Sequence, residues 1–200
     1  MEKEMFSFYK NALSGAITTP LCAEYKNEWR ACGDDKEKLI SLALRQQSLP
    51  YIITHCYQGK GVSKEYILNV FSNYINGSKT LKDCDGEHGY TYEMWVGEND
   101  YFLKPCADVT AYMWVKDVTL RIGETKCPII YIGCGSTVKI SPEGYNSICV
   151  YLFDDSKIVI DDCGDETTKV FIYKYSKDAQ VEISKYCLAD VKTFDKELRL

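Results

Sequence analysis

Between Leu21 and Cys32 apolar side chains return at Leu21, Cys22, Tyr25, Trp29 and Cys32, the three-to-four-residue spacing of one helix face. Pro20 stands at the head of this stripe and Gly33 just past its end, residues that open and stop a helix. Asp34 or Asp35 can cap a second helix carrying Leu39, Ile40, Leu42, Ala43 and Leu44, broken at Leu49-Pro50. Pro50 can start a third through Tyr51, Ile52, Ile53 and Cys56, ended by Gly59-Lys60-Gly61. Ser63 caps a fourth carrying Tyr66, Ile67, Val70, Phe71 and Tyr74, with Asn76-Gly77 as its stop. Short linkers between such helices predict a compact helical bundle over residues 1–77.

From residue 78 the period changes to alternation. Val118-Thr119-Leu120-Arg121-Ile122 and Val181-Glu182-Ile183 read in-out-in, and Tyr, Val, Ile and Thr dominate. The boundary falls in the polar stretch 77–89. The strand half also repeats. Ile130-Tyr131-Ile132, a turn, and Thr137 to Ile140 match Val150 to Phe153, a turn, and Lys157 to Ile160. They match again in Val170 to Tyr173, a turn, and Ala179 to Ile183. Closing isoleucines at 122, 140, 160 and 183 put the period near 20 residues, the sign of a stacked β-solenoid over residues 78–200. One copy cannot bury its inward side chains alone, but a pile of them can, with Lys139, Lys157 and Glu182 left facing water. The fold class expected is therefore α+β, a helical bundle followed by a short β-solenoid, with an antiparallel β-sandwich as the alternative. The helices are expected to cap the first coil, and the segment from Phe194 to Leu200 the last.

The residues Phe8 to Ala12, Leu21 to Tyr25, Trp29, Gly61 to Ile67 and Tyr74 to Lys79 carry a further likeness. In them the chain resembles small uncharacterised proteins of gut bacteria and their phages or prophages, which pair a helical front with a repetitive strand-rich tail. The resemblance implies a mobile-element protein that acts on host components or belongs to a particle. It brings no activity and no catalytic residue with it.

Charge and cysteines narrow the classes. Lys plus Arg is 24 against 29 for Asp plus Glu, a net charge of −5, and this acidic balance lacks the footprint of a duplex-binding protein. The start Met1 to Phe6 has no apolar core of a signal peptide, and no apolar run nears the ~18 residues of a membrane span. The expected compartment is the cytoplasm of a host cell, or a virion, with no membrane partner. The 10 cysteines include no C-x-x-C pair, so they are expected as reduced, buried side chains rather than a zinc or redox motif.

Candidate chemistry is sparse. His55-Cys56 are neighbours that point apart on a helix, so a buried Cys beside a surface His outweighs a catalytic pair. The acids and His of Asp83 to His88 could hold a cation, but the calcium-loop spacing fails and an interdomain turn suffices. Asp154-Asp155 and Asp161 to Glu166 could form a carboxylate ridge for glycoside chemistry, yet turns are where Asp is ordinarily found. Phosphate-loop, dinucleotide, zincin and serine-hydrolase motifs are all missing. No metal, no cofactor and no catalytic residue is therefore expected. Tyrosine is the unusual count, at 16. Tyr90, Tyr92, Trp95, Tyr101, Tyr112 and Trp114 cluster early in the strand half and form the candidate binding patch. The expectation is a non-enzymatic interaction protein that binds a host or phage protein, an inhibitor of a host factor, with homo-oligomers allowed. The alternatives are a structural part of a phage particle and a carbohydrate-active enzyme using solenoid carboxylates.

Overall fold

Alternating side chains can close a core only if something covers the inward row, and here the next coil does so. The computed structural model describes residues 23–45, 48–80, 91–97, 102–103, 107–123, 128–161 and 167–198. Four helices come first: α1 (Ala23–Ala31), α2 (Lys36–Leu44), α3 (Leu49–Tyr57) and α4 (Lys64–Val70). Asp35 caps α2 by accepting from the amides of Glu37 and Lys38, and Ser63 caps α4 by accepting from Tyr66. Pro50 sits in the first turn of α3. The fourth helix stops at Val70, short of Tyr74, because the chain from Asn76 onward is already bonded to the sheet: Asn76 donates to Met94 and its side chain accepts from Val96.

The strands are β1 (Gly77–Thr80), β2 (Thr91–Val96), β3 (Phe102–Leu103), β4 (Val109–Met113), β5 (Val118–Ile122), β6 (Ile129–Gly133), β7 (Thr137–Pro142), β8 (Ser147–Leu152), β9 (Lys157–Ile160), β10 (Lys169–Lys174), β11 (Gln180–Ile183) and β12 (Asp190–Asp195). They build two sheets, β1-β2-β4-β6-β8-β10-β12 and β11-β9-β7-β5-β3. Every pairing is parallel except β1 with β2. The chain alternates between the sheets and advances one coil at a time, so it is a parallel β-solenoid and the antiparallel sandwich falls. Val109 lies beside Ile129, Ile129 beside Cys149, Ser147 beside Lys169 and Lys169 beside Asp190, which are steps of 20, 20, 22 and 21 residues.

One register differs from the repeat read in the sequence. The inner column runs Leu120, Ile140, Ile160, Ile183, while Ile122 lies beside Pro142. In a strand Leu120 and Ile122 share a face, so either satisfies the apolar pattern. The corner decides: Val115 donates to the Ser136 hydroxyl at 3.1 Å, and Thr137 donates to the Val115 carbonyl at 2.9 Å. The Ser136 amide in turn donates to the Ser156 hydroxyl. Buried Asn146 and Thr168 serve the opposite corner by donating to main-chain carbonyls. Polar groups at these corners are buried because each has backbone to bond.

The interior holds Val118, Leu120, Ile130, Ile132, Val138, Ile140, Ile148, Val150, Leu152, Ile158, Ile160, Val170 and Ile172, all 0% exposed. A second apolar cluster joins the helices to the outer face of the longer sheet, running from Trp29, Leu42 and Ile53 to Met94, Val96, Met113, Tyr131 and Phe153. Among the described residues the helices share one core with the sheet, and a helical bundle with a core of its own is not seen. Helices of seven to nine residues bury too little among themselves, and they close their core against the sheet. Of the segment expected to close the last coil, Phe194 belongs to β12, whose far edge carries no further strand among the described residues, and residues 199–200 lie outside them.

Candidate aromatic binding face

The two outer faces differ in chemistry. On the shorter sheet, consecutive coils are tied by ion pairs: Arg121 to Glu143 at 3.7 Å, Lys139 to Asp161 at 2.7 Å and Lys157 to Glu182 at 2.5 Å. That face is wetted. On the longer sheet the outward row is aromatic. Tyr131 stacks on Tyr151 with ring centres 4.7 Å apart, Tyr151 on Tyr173 at 5.3 Å and Tyr173 on Phe194 at 5.2 Å, with planes within 22°. A second column, Phe153 on Tyr175 at 5.1 Å, runs beside it. In-register strands set equivalent rings one strand spacing apart, close to a stacking distance.

The helices cover only the start of this ladder. α3 reaches β6 so closely that a Cβ on Gly133 would collide with the Ile53 side chain. Tyr131 and Phe153 are buried beneath the helices. Tyr151, Tyr173 and Tyr175 are half-buried, and Phe194 is 38% exposed. Burial raises the phenol pKa of Tyr151 and of Tyr175, so both hydroxyls stay protonated donors at neutral pH. The ammonium of Lys196 lies 5.6 Å from the Tyr173 ring centre. At the carboxyl ends of β10 and β12 the face opens into a cleft of about 740 Å³, lined by Lys174, Tyr175, Lys177, Asp195, Lys196 and Glu197 among others.

The aromatic residues singled out from the sequence lie elsewhere. Tyr92 faces the helices and is buried. Tyr112 is fully buried inside the solenoid, with the half-buried Trp95 as its register neighbour. Trp114, half-buried, packs against the helix–sheet cluster. Tyr90 and Tyr101 lie outside the described residues. These four described rings therefore point to two faces of one sheet and present no common exposed patch. Strands β2 and β4 are covered on both sides, by the helices and by the coil interior, so their aromatics are consumed as core. The ladder was readable in principle, since Tyr131, Tyr151 and Tyr173 hold the same outward position in successive repeats.

The other candidates resolve as follows. His55 is half-buried and its Nδ1 lies 2.8 Å from the Tyr51 carbonyl. Cys56 is buried, and burial pushes its thiol up to about 12. Cys56, Cys134 and Cys149 are free thiols. Asp154 is half-buried; its carboxylate accepts from the amides of Cys134, Gly135 and Ser156 and from the Ser156 hydroxyl. Burial raises its pKa while these hydrogen bonds pull the other way. It is thus a staple between two turns. Asp155 is exposed and Asp161 pairs with Lys139. Residues 83–88 and 162–166 lie outside the described residues. Among the described residues, no group of three or more His, Cys, Asp or Glu is placed to hold a metal ion. No helix among them is long and apolar enough to cross a membrane.

Fold and face together define a parallel β-solenoid with a helical cover and an aromatic ladder that outruns it. Comparison with protein-family models, with curated proteins and with solved structures finds no match to this chain.

Proposed function

We propose that the protein is a non-enzymatic binding protein that engages a partner protein through the uncovered half of its aromatic ladder. The observation that carries this reading is the passage of one continuous stack from full burial at Tyr131 to open surface at Phe194. Tyr supplies a large, rigid contact area with a hydroxyl at its tip, the chemistry favoured in binding surfaces. Lys174, Lys177 and Lys196, with Asp195 and Glu197, border it and give a polar rim. The resemblance read in the sequence, to small proteins of gut bacteria and their phages or prophages, is the ground for seeking a host protein first and assaying inhibition of it.

The test is a pull-down from host lysate with the wild-type chain, the Tyr173→Ser/Phe194→Ser variant and a Tyr186→Ser control. Tyr186 is exposed but stands off the ladder. A partner retained by wild type and control and depleted at least about tenfold by the double variant supports the reading, since loss of two anchor rings exceeds ~1.4 kcal/mol. Equal recovery by all three proteins, or recovery of nothing, overturns it.

A further inference from the structure

Among the described residues the longer sheet finishes on β12, whose outer edge is suited to a second copy of itself. Asp190 donates its amide to Thr168 and Lys196 donates to Lys174, both toward β10. In a parallel pair the main-chain groups of alternate residues point the same way. Asp190, Lys192, Phe194 and Lys196 are therefore committed to β10, and the N–H and C=O groups of Val191, Thr193 and Asp195 point to the free edge.

An exposed edge is ordinarily guarded by charge, and the charges of β12 allow one pairing. Consider two β12 strands running antiparallel with Thr193 opposite Thr193. Val191 then meets Asp195 of the second copy, so every free-edge residue exchanges main-chain hydrogen bonds. On the flanking positions Asp190 meets Lys196, twice by symmetry, and Lys192 meets Phe194. Sliding the register by two residues one way sets Lys192 against itself. Sliding it the other way sets Lys192 against Lys196 twice. Main-chain direction admits only alternate registers, and among those side-chain charge favours the one about Thr193.

The apolar surface agrees. Of the six large apolar side chains exposed among the described residues, Ile183, Tyr186, Leu188 and Phe194 all lie in β11, β12 or the segment between them. Val181, Cys187, Ala189 and Val191 end the inner column only half-buried. We infer that the protein forms a twofold dimer by antiparallel pairing of β12 edges about Thr193, joining two solenoids end to end. This inference does not rest on the binding role proposed above.

Sedimentation from micromolar to millimolar concentration should show a monomer–dimer equilibrium. Amide exchange read residue by residue should show Val191, Thr193 and Asp195 gaining protection with concentration. Asp190→Lys places like charges at both ends of the pairing and should weaken the dimer at least about tenfold. Adding Lys196→Asp to it should restore the dimer. Circular dichroism should show the same fold in all variants, since both side chains are surface-exposed. A monomer throughout the range, a dimer indifferent to Asp190→Lys, protection at other amides, or species larger than a dimer would each overturn the inference.

Discussion

Cys134 sits where the sheet meets the helices, its sulfur 3.5 Å from the Ile53 carbonyl and its thiol near Cys56. Burial holds both protons on, and the Cys134 thiol is raised further still by the neighbouring Cys56 and by Asp154 and Asp155. For Cys56 the ordinary value is 9.0 and the folded one about 12. The folded state thus binds a proton that the unfolded chain releases. The stability this gives is complete below about 9 and is lost as pH climbs toward 12. Native alkylation at mildly alkaline pH should modify half-buried Cys149 before Cys56 and Cys134, with all three equal in denaturant. Peptide mass spectrometry reads the order, and early labelling of Cys56 would contradict it. Burial of Cys32, Cys56 and Cys134 was legible in the sequence, because each sits on an apolar stripe or next to a repeat strand. The role of Asp154 was not. An Asp in a turn looks alike whether it faces water or staples the turn of the preceding coil, and only the 20-residue register distinguishes them.

At the scale of elements, the joint between α3 and β6 depends on one missing side chain. Gly133 is the last residue of β6, and Ile53 of α3 occupies the space a Cβ would need. Gly133→Ala should therefore overpack the joint and cost about 1–3 kcal/mol in urea unfolding. Truncating its neighbour in the Gly133→Ala/Ile53→Ala protein should return part of that loss, a coupling a double-mutant cycle measures. Additive effects would show that the joint has another origin. The helices themselves were largely readable, since Asp35 and Ser63 accept from amides within a turn of their own position and Pro50 presets the first turn of α3. What they pack on was not readable. An apolar stripe on a short helix states that it must be covered, and is silent on whether another helix or a sheet does so. The same ambiguity displaced the aromatic patch: Tyr92 and Tyr112 have the residue type of a binding surface, and their strands are walled on both sides.

In the whole molecule, protection runs downhill along the pile. β8 alternates half-buried with buried side chains, while β11 and β12 have none buried. In dilute solution, hydrogen exchange should therefore be slowest in β6 to β9 and fastest in β11 and β12. Uniform protection by mass spectrometry would mean that the coils melt as one unit. The lateral asymmetry has a different origin. Both sheets share the buried aliphatic column, but the outward face of the longer sheet carries rings and helices, while that of the shorter carries ion pairs across coils that salt will weaken. The stacked architecture was legible because three repeats shared a strand-turn-strand grammar; the place of β12 was not, because its segment does not repeat that grammar in full. The corner bonding has one more consequence. Val115 to Ser136 to Ser156 is a chain of bonds in which each link needs its counterpart one full turn away. Length is thereby quantised: duplicating residues 137–156 would insert a rung whose hydroxyl and carboxylate find the contacts they already make. Adding a single residue within β7 would turn the inner side chains on one side of the insertion outward.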